Sequence, residues 1–400
     1  MIPTVLLLLA GVPAAAGPPT FYKDVLPILS ERCQSCHRAG QAAPMALVTF
    51  KDTRPWAKAI KESVLARRMP PWHADSTVVK YRNDLSLSEA ERETLTGWVD
   101  GGSAEGNAAD APRLKTYVEG WRIARPDAVF SLPETIAVPA SGTIDYQYLA
   151  VATGFTEDKW VEMAEVRPTS RGVVHHAIVS VRAPADAGWY GGQFLAGYAP
   201  GAAPQVWMPG QARLIPAGSY LVFQMHYTSN GKAAEDRTQI GLVFAKQAPR
   251  ERVYAMRASN SWFTIPPGAP DHRVEAATSV HQPVRLAAIR PHMHLRGKAF
   301  QVVAIFPDGT SKMVLRVPRY DFHWQPYYYL ETPLSLPAGT RLECTAWFDN
   351  SPNNPRNPNP LDSVRWGEQS WDEMMIGWFE VLAPWAPEKP VSSATLRQSR

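Results

Sequence analysis

The chain has 400 residues, of which 45% are hydrophobic and 20% charged. That is too long for one ordinary core and too apolar for intrinsic disorder, so two or three folded domains are expected. The 41 Lys and Arg almost balance the 37 Asp and Glu, which argues against a nucleic-acid partner, and three cysteines are too few for a disulfide scaffold.

Residues 1–16 carry a short apolar run, Val5–Ala10, followed by Ala14-Ala15-Ala16-Gly17. This reads as a secretory signal peptide and predicts a secreted or periplasmic protein. No later stretch reaches the ~18 uninterrupted apolar residues of a membrane span. Residues 17–110 predict three helices in one small all-α domain. The first follows Thr20 as N-cap, with Phe21, Val25, Ile28 and Leu29 on one face. The second runs through Arg54–Met69 behind Pro55, and the third starts at Ser88 with a capping box to Glu91 and stops at Gly101-Gly102.

Residues 111–125 read as a linker, after which the helical period disappears. Short segments rich in β-branched and aromatic residues follow, among them Val173–Val181, Tyr220–Tyr227, Val284–Ile289 and Arg341–Phe348. Turn residues separate them, and 37 prolines in the chain suit this pattern. Two all-β sandwiches of the jelly-roll kind are expected, over 126–250 and 251–385, with the seam near Pro249–Arg257. Residues 386–400 read as a loose tail.

Cys33-Gln34-Ser35-Cys36-His37 has the spacing for covalent attachment of a c-type haem. The two thiols fall on one helical turn and His37 is placed to reach the iron. A redox dithiol would come with a βαβ pattern, and a zinc site would need two further ligands nearby. A sixth ligand should be a thioether or an imidazole. Met69, in the stiff sequence Arg68-Met69-Pro70-Pro71, is the first candidate, with Met45 and His73 as rivals. This segment resembles small class I cytochromes c, over about 90 residues.

Five histidines in the β region fall in patterned places. His292 and His294 are two apart, so on a strand they share a face and can hold one metal. His175 and His176 are adjacent and point to opposite faces, so sharing a metal requires a bulge, a strand end or different ring nitrogens. His226, on a distant strand, could complete that group. Met374 could complete the first, and a His₂Met set suits Cu(I) rather than zinc because a thioether is neutral and soft. His73, His272, His281 and His323 receive no metal role, and Cys344 is expected to be buried and free.

The ordered motifs HH, QMHYT, HMHLRGK and DEM resemble the type II copper, ascorbate-dependent monooxygenases, the family of peptidylglycine α-hydroxylating and dopamine β-monooxygenases. The resemblance implies two consecutive jelly rolls and two copper ions. His175, His176 and His226 would hold the electron-transfer copper; His292, His294 and Met374 would form the catalytic, oxygen-binding site. Met374 is preferred to Met375 because it follows Asp372-Glu373. Arg290 matches a substrate-carboxylate arginine of the peptide-hydroxylating members, with a surface strand residue as the alternative. The sequence Met375-Ile376-Gly377-Trp378 lacks that pocket's polar residues, which speaks against a peptidylglycine substrate.

The expectation is therefore an exported monooxygenase, dependent on haem c and copper, that hydroxylates an aliphatic C–H of a small molecule or peptide with O₂. Electrons would come from ascorbate or a redox donor protein, with the haem in the relay. The alternatives are a non-catalytic cytochrome c electron carrier or copper-binding protein, and a binding module whose histidines only pack.

Overall fold

The structure is a computed structural model and describes residues 17–41, 43–113, 115–184, 192–199 and 202–385. The expected signal peptide and C-terminal tail lie outside these. The chain divides into two compact units, residues 1–39, 44–70 and 86–116 in the first and 40–43, 71–85 and 117–400 in the second. The helical domain expected over 17–110 is thus interrupted, because 71–85 belongs with the β-rich remainder. No helix among the described residues is long and apolar enough to cross a membrane.

In the first unit the α-helices are Leu26–Arg32, Phe50–Thr53, Ala57–Leu65 and Glu89–Asp100. The capping box at Ser88 and Glu91 forms as the sequence predicts. Thr20 does not cap through its side chain; instead its N–H and Oγ1 both donate to the Asp24 carboxylate, at 2.7 and 3.3 Å. Phe21, Leu29, Leu95 and Trp98, all buried, gather these helices around a small core.

The second unit is almost entirely antiparallel β. A nine-stranded sheet runs in the order 128–131, 239–244, 159–167, 211–215, 251–259, 376–384, 284–292, 328–336, with 205–206 attached to 159–167. Two four-stranded sheets accompany it: 147–152, 220–227, 174–182, 193–198, and 272–279, 341–348, 297–305, 311–317. One apolar core packs the first small sheet against the long sheet and a second core packs the other. This is a β-sandwich architecture with one sheet common to both cores.

The shared strands explain why the sequence around 284–289 is nearly continuously apolar. Successive side chains on a strand face opposite ways. Leu286 joins the second core and Ala287 the first, and Val381 and Leu382 divide in the same manner. A strand buried on both faces loses the polar alternation that a one-sided sheet keeps. The seam expected at 249–257 is the place where strand 251–259 pairs in parallel with 211–215. A buried ion pair stands there, Arg213 with Glu380 at 3.2 Å, and Trp207 donates to the same carboxylate.

Residues 71–85 lie as a strap on the second core. Trp72 and Tyr81 are buried and stack edge-on or tilted against Tyr328 at 5.1 and 5.5 Å. The amide of Asn83 donates to the Tyr327 carbonyl and accepts from the Tyr329 N–H. At its other end the Asp75 N–H reaches the Arg316 carbonyl at 2.8 Å. The strap therefore holds both flanks of the connection between strands 311–317 and 328–336.

Candidate metal centres

His175 sits at a break in the ladder of its strand. Val174 pairs with Tyr227 and His176 with His226, so two residues stand opposite one. The extra residue is a β-bulge, which re-aims a side chain that regular pleating would send to the other face. The bulge that adjacent histidines need is thus present. His175, His176 and His226 offer ligand atoms that all lie within 4.8 Å of one another.

The spacing inside the trio fits one ion. His175 Nδ1 and His176 Nδ1 are 3.3 Å apart. Imidazole donors about 2.0–2.1 Å from an ion at a near-tetrahedral angle stand roughly 3.3 Å apart. His226 Nδ1 is buried with no hydrogen-bond partner among the described residues, which leaves its lone pair for coordination. Tyr146 stacks on the His226 ring at 4.5 Å and fixes its plane.

His292 ends its strand opposite Ile376, so Met374 lies two residues from the partner of His292. The segment around Met374 is tied to the His292–Arg296 segment by polar contacts. The Glu373 carboxylate accepts the N–H groups of His294 and Arg296 at 2.7 and 2.6 Å. Arg296 in turn donates to the Trp371 carbonyl and to Asn350 Oδ1. Between the two histidines, Tyr320 Oη accepts the Met293 N–H and donates to its carbonyl, at 3.0 and 2.7 Å. Gly297 allows that approach, since a Cβ there would meet the Tyr320 ring at 2.7 Å.

Hydrogen bonds also select the ring nitrogens. His292 Nδ1 contacts Gln325 Oε1 at 2.6 Å, and His294 Nδ1 contacts the Asp372 carbonyl at 3.2 Å. An oxygen acceptor on Nδ1 requires the proton there, so both Nε2 lone pairs are left for a metal. Met374 lines the same cavity as these rings, whereas Met375 is fully buried in the apolar core.

Electrostatics keep the imidazoles neutral. Burial pushes His175, His226 and His294 down to about 4 and His292 down to about 3, and neighbouring histidines add to it for all of these but His294. His176 is lowered as well, again chiefly by burial. Neutral rings with free lone pairs are what a metal requires and what a proton-binding cluster would lack. Burial pushes the Glu373 carboxyl up to about 8, against the backbone N–H groups that favour its charge.

Both groups open on one cavity of about 940 Å³. Arg290, half-buried near the end of its strand, lines it, and its guanidinium lies 5.1 Å from the Phe194 ring and 5.0 Å from the Tyr327 ring. Its Nε is buried without a partner among the described residues. Sequence reasoning gave no role to His323, yet His323 Nδ1 stands 3.2 Å from His175 Nε2. Tyr146, Phe322 and Gln325 were likewise unmarked, because no motif spacing connects them to the histidines they touch.

In the first unit, the N–H groups of Cys36 and His37 both reach the Cys33 carbonyl, which closes the turn that carries the two thiols. Neither cysteine is in a disulfide, nor is buried Cys344. His37 Nδ1 contacts the Met45 carbonyl at 3.3 Å, leaving Nε2 for a ligand. Met69 is 44% exposed, and Met45 packs against the helical core. His73 belongs to the second unit.

No family model matches the chain, and no curated protein matches it. Among solved structures, the major capsid protein P2 of bacteriophage PM2 is 10% identical, with a TM-score of 0.28 over 65% of this chain and 99% of that one. The PBCV-1 protein VP54, fitted into a reconstruction of the virophage Sputnik, is 8% identical, with a TM-score of 0.23 over 66% and 96%. An infectious bursal disease virus structure, Gx strain, gives 10% identity and 0.19 over 65% and 73%. Likeness at this level says nothing about function.

Proposed function

We propose that the protein is an exported copper monooxygenase carrying a covalent haem c, and that it hydroxylates an aliphatic C–H of a small substrate with O₂. The observation that carries this reading is one cavity lined by His175 and His176, which His226 joins as a trio, and by His292, His294 and Met374, so that two groups of different donor type open on it. Copper, when bound, supplies one-electron exchange and reactivity toward O₂. A haem, if held by Cys33, Cys36 and His37 with Met69 as a further candidate ligand, would supply a one-electron store.

The remaining work belongs to the chain. His175, His176 and His226 form the electron-transfer centre, and His292, His294 and Met374 the catalytic one. The neutral thioether biases the latter toward the reduced ion. Gln325 and the Asp372 carbonyl orient the two catalytic imidazoles. Phe194 and Tyr327 make an aromatic wall that carries the Arg290 guanidinium, suited to the anionic end of an otherwise apolar molecule. The cavity is of the size that encloses a small ligand.

The test is O₂ uptake by the copper-loaded chain, driven by ascorbate or by the reduced haem. We expect uptake that requires copper and is lost in Met374→Ala while the haem spectrum stays unchanged. A haem oxidised by O₂ at the same rate with and without copper and substrate would leave only an electron carrier.

A further inference from the structure

One loop, residues 318–327, touches both histidine groups. Phe322, itself buried, stacks at 5.9 Å on His175 and meets His294 edge-on at 5.8 Å. Gln325 Nε2 donates to the Phe322 carbonyl at 2.8 Å, which turns Oε1 toward His292 Nδ1. The next polar side chain of the loop, His323, reaches His175. Asp321 holds the loop by accepting the His323 N–H at 2.9 Å and Arg356 Nη2 at 3.0 Å.

We propose that His323 is a positioning residue for the three-imidazole centre, its Nδ1 accepting the Nε2–H of His175 at 3.2 Å. The inference rests on the copper reading above. Two contacts of one ring decide it. His175 Nδ1 faces His176 Nδ1 at the spacing of two donors on one ion, so the proton belongs on Nε2, where His323 is the acceptor. A metal-bound imidazole is commonly oriented through its other nitrogen in this way, which fixes the tautomer and raises its basicity. The bulge at His175 makes that anchor necessary. A bulged residue lacks the ladder hydrogen bonds of its neighbours, and Phe322 packs on the face of its ring without holding a ring nitrogen.

The acceptor is Nδ1, so the substitution that preserves it is asparagine, whose Oδ1 occupies nearly the same position. The experiment uses the full chain with His292→Ala and His294→Ala, which leaves the three-imidazole centre to be read alone. His323→Ala and His323→Asn are compared in that background by copper titration against a competing chelator and by Cu(II) electron paramagnetic resonance. We expect His323→Ala to weaken copper binding about 10- to 100-fold with three nitrogen donors still on the ion, and His323→Asn to restore affinity to within about threefold of the parent.

Three results would overturn the proposal. Equal affinity in the parent and His323→Ala removes the role of the contact. Equal loss in Ala and Asn shows that the acceptor is not what matters. Loss of a nitrogen donor in His323→Ala makes His323 a ligand instead. A parent chain that takes up no copper at all would overturn the functional reading together with this one, whereas the first three results leave that reading standing.

Discussion

Met374 and Met375 are neighbours in different surroundings. Met374 lines the cavity beside the two histidines, and Met375 is sealed in the apolar core. Met375→Ala is expected to cost about 2–5 kcal/mol of stability, the range for truncating a buried methionine. Its copper content should stay the same. Met374→Ala is expected to do the reverse, losing copper from the His292–His294 group with little change in melting. Thermal melts and metal analysis of the two variants check this pair, and exchanged phenotypes would mean that the thioether donor has been misassigned. The same reasoning applies to Arg296 and Glu373, which never touch the cavity yet hold His294 and the Met374 segment together.

At the scale of elements, what the sequence made legible depended on periodicity. His292 and His294 share a face because strands repeat every two residues, and that much follows from spacing alone. For His175 and His176 spacing gave a condition, not an answer, because a bulge is an insertion relative to a partner strand that only the fold supplies. Deleting His175 should restore an unbroken ladder and abolish copper uptake at the trio, while sheet content by circular dichroism stays unchanged. Retained uptake would show that the bulge does not create the centre. His323, Phe322 and Gln325 come from an irregular loop, where no period exists to be read. The strap was hidden for another reason. Trp72 and Tyr81 fall between two helices, so local order suggested a helical domain, whereas their rings find burial only against Tyr328, roughly 250 residues later. Trp72→Ala is expected to destabilise the β-rich unit by about 3–5 kcal/mol. An unchanged melt of that unit would contradict the assignment of 71–85 to it.

For the whole molecule, the histidine cavity dictates how stability responds to pH. His175, His226 and His294 are pushed down to about 4 and His292 to about 3 by burial. The unfolded chain takes up these protons near their ordinary value of 6.5, so between there and about 4 it binds more protons than the folded chain. Stability of the metal-free protein is therefore present above pH ~6.5 and lost as pH falls through that window. Glu373, pushed up to about 8 by burial, acts with the opposite sign, holding a proton in the fold that the unfolded chain releases above about 4.5. One carboxyl opposes several imidazoles, so the acid loss prevails. Calorimetry of the metal-free chain should show a melting temperature roughly 10 °C lower at pH 5 than at pH 7. Copper should reduce that dependence, because it binds only the neutral rings. A flat profile without metal would mean that the rings are hydrated and not gathered.

In the proposed function the two groups differ in one donor, the sulfur of Met374, a difference that absorption at the copper K edge sees directly. The account predicts about two copper ions per chain, an imidazole-dominated shell, and in the reduced protein a sulfur scatterer that disappears in Met374→Ala. Copper bound by nitrogen and oxygen alone in the reduced wild-type chain, or a sulfur signal that survives Met374→Ala, would contradict it.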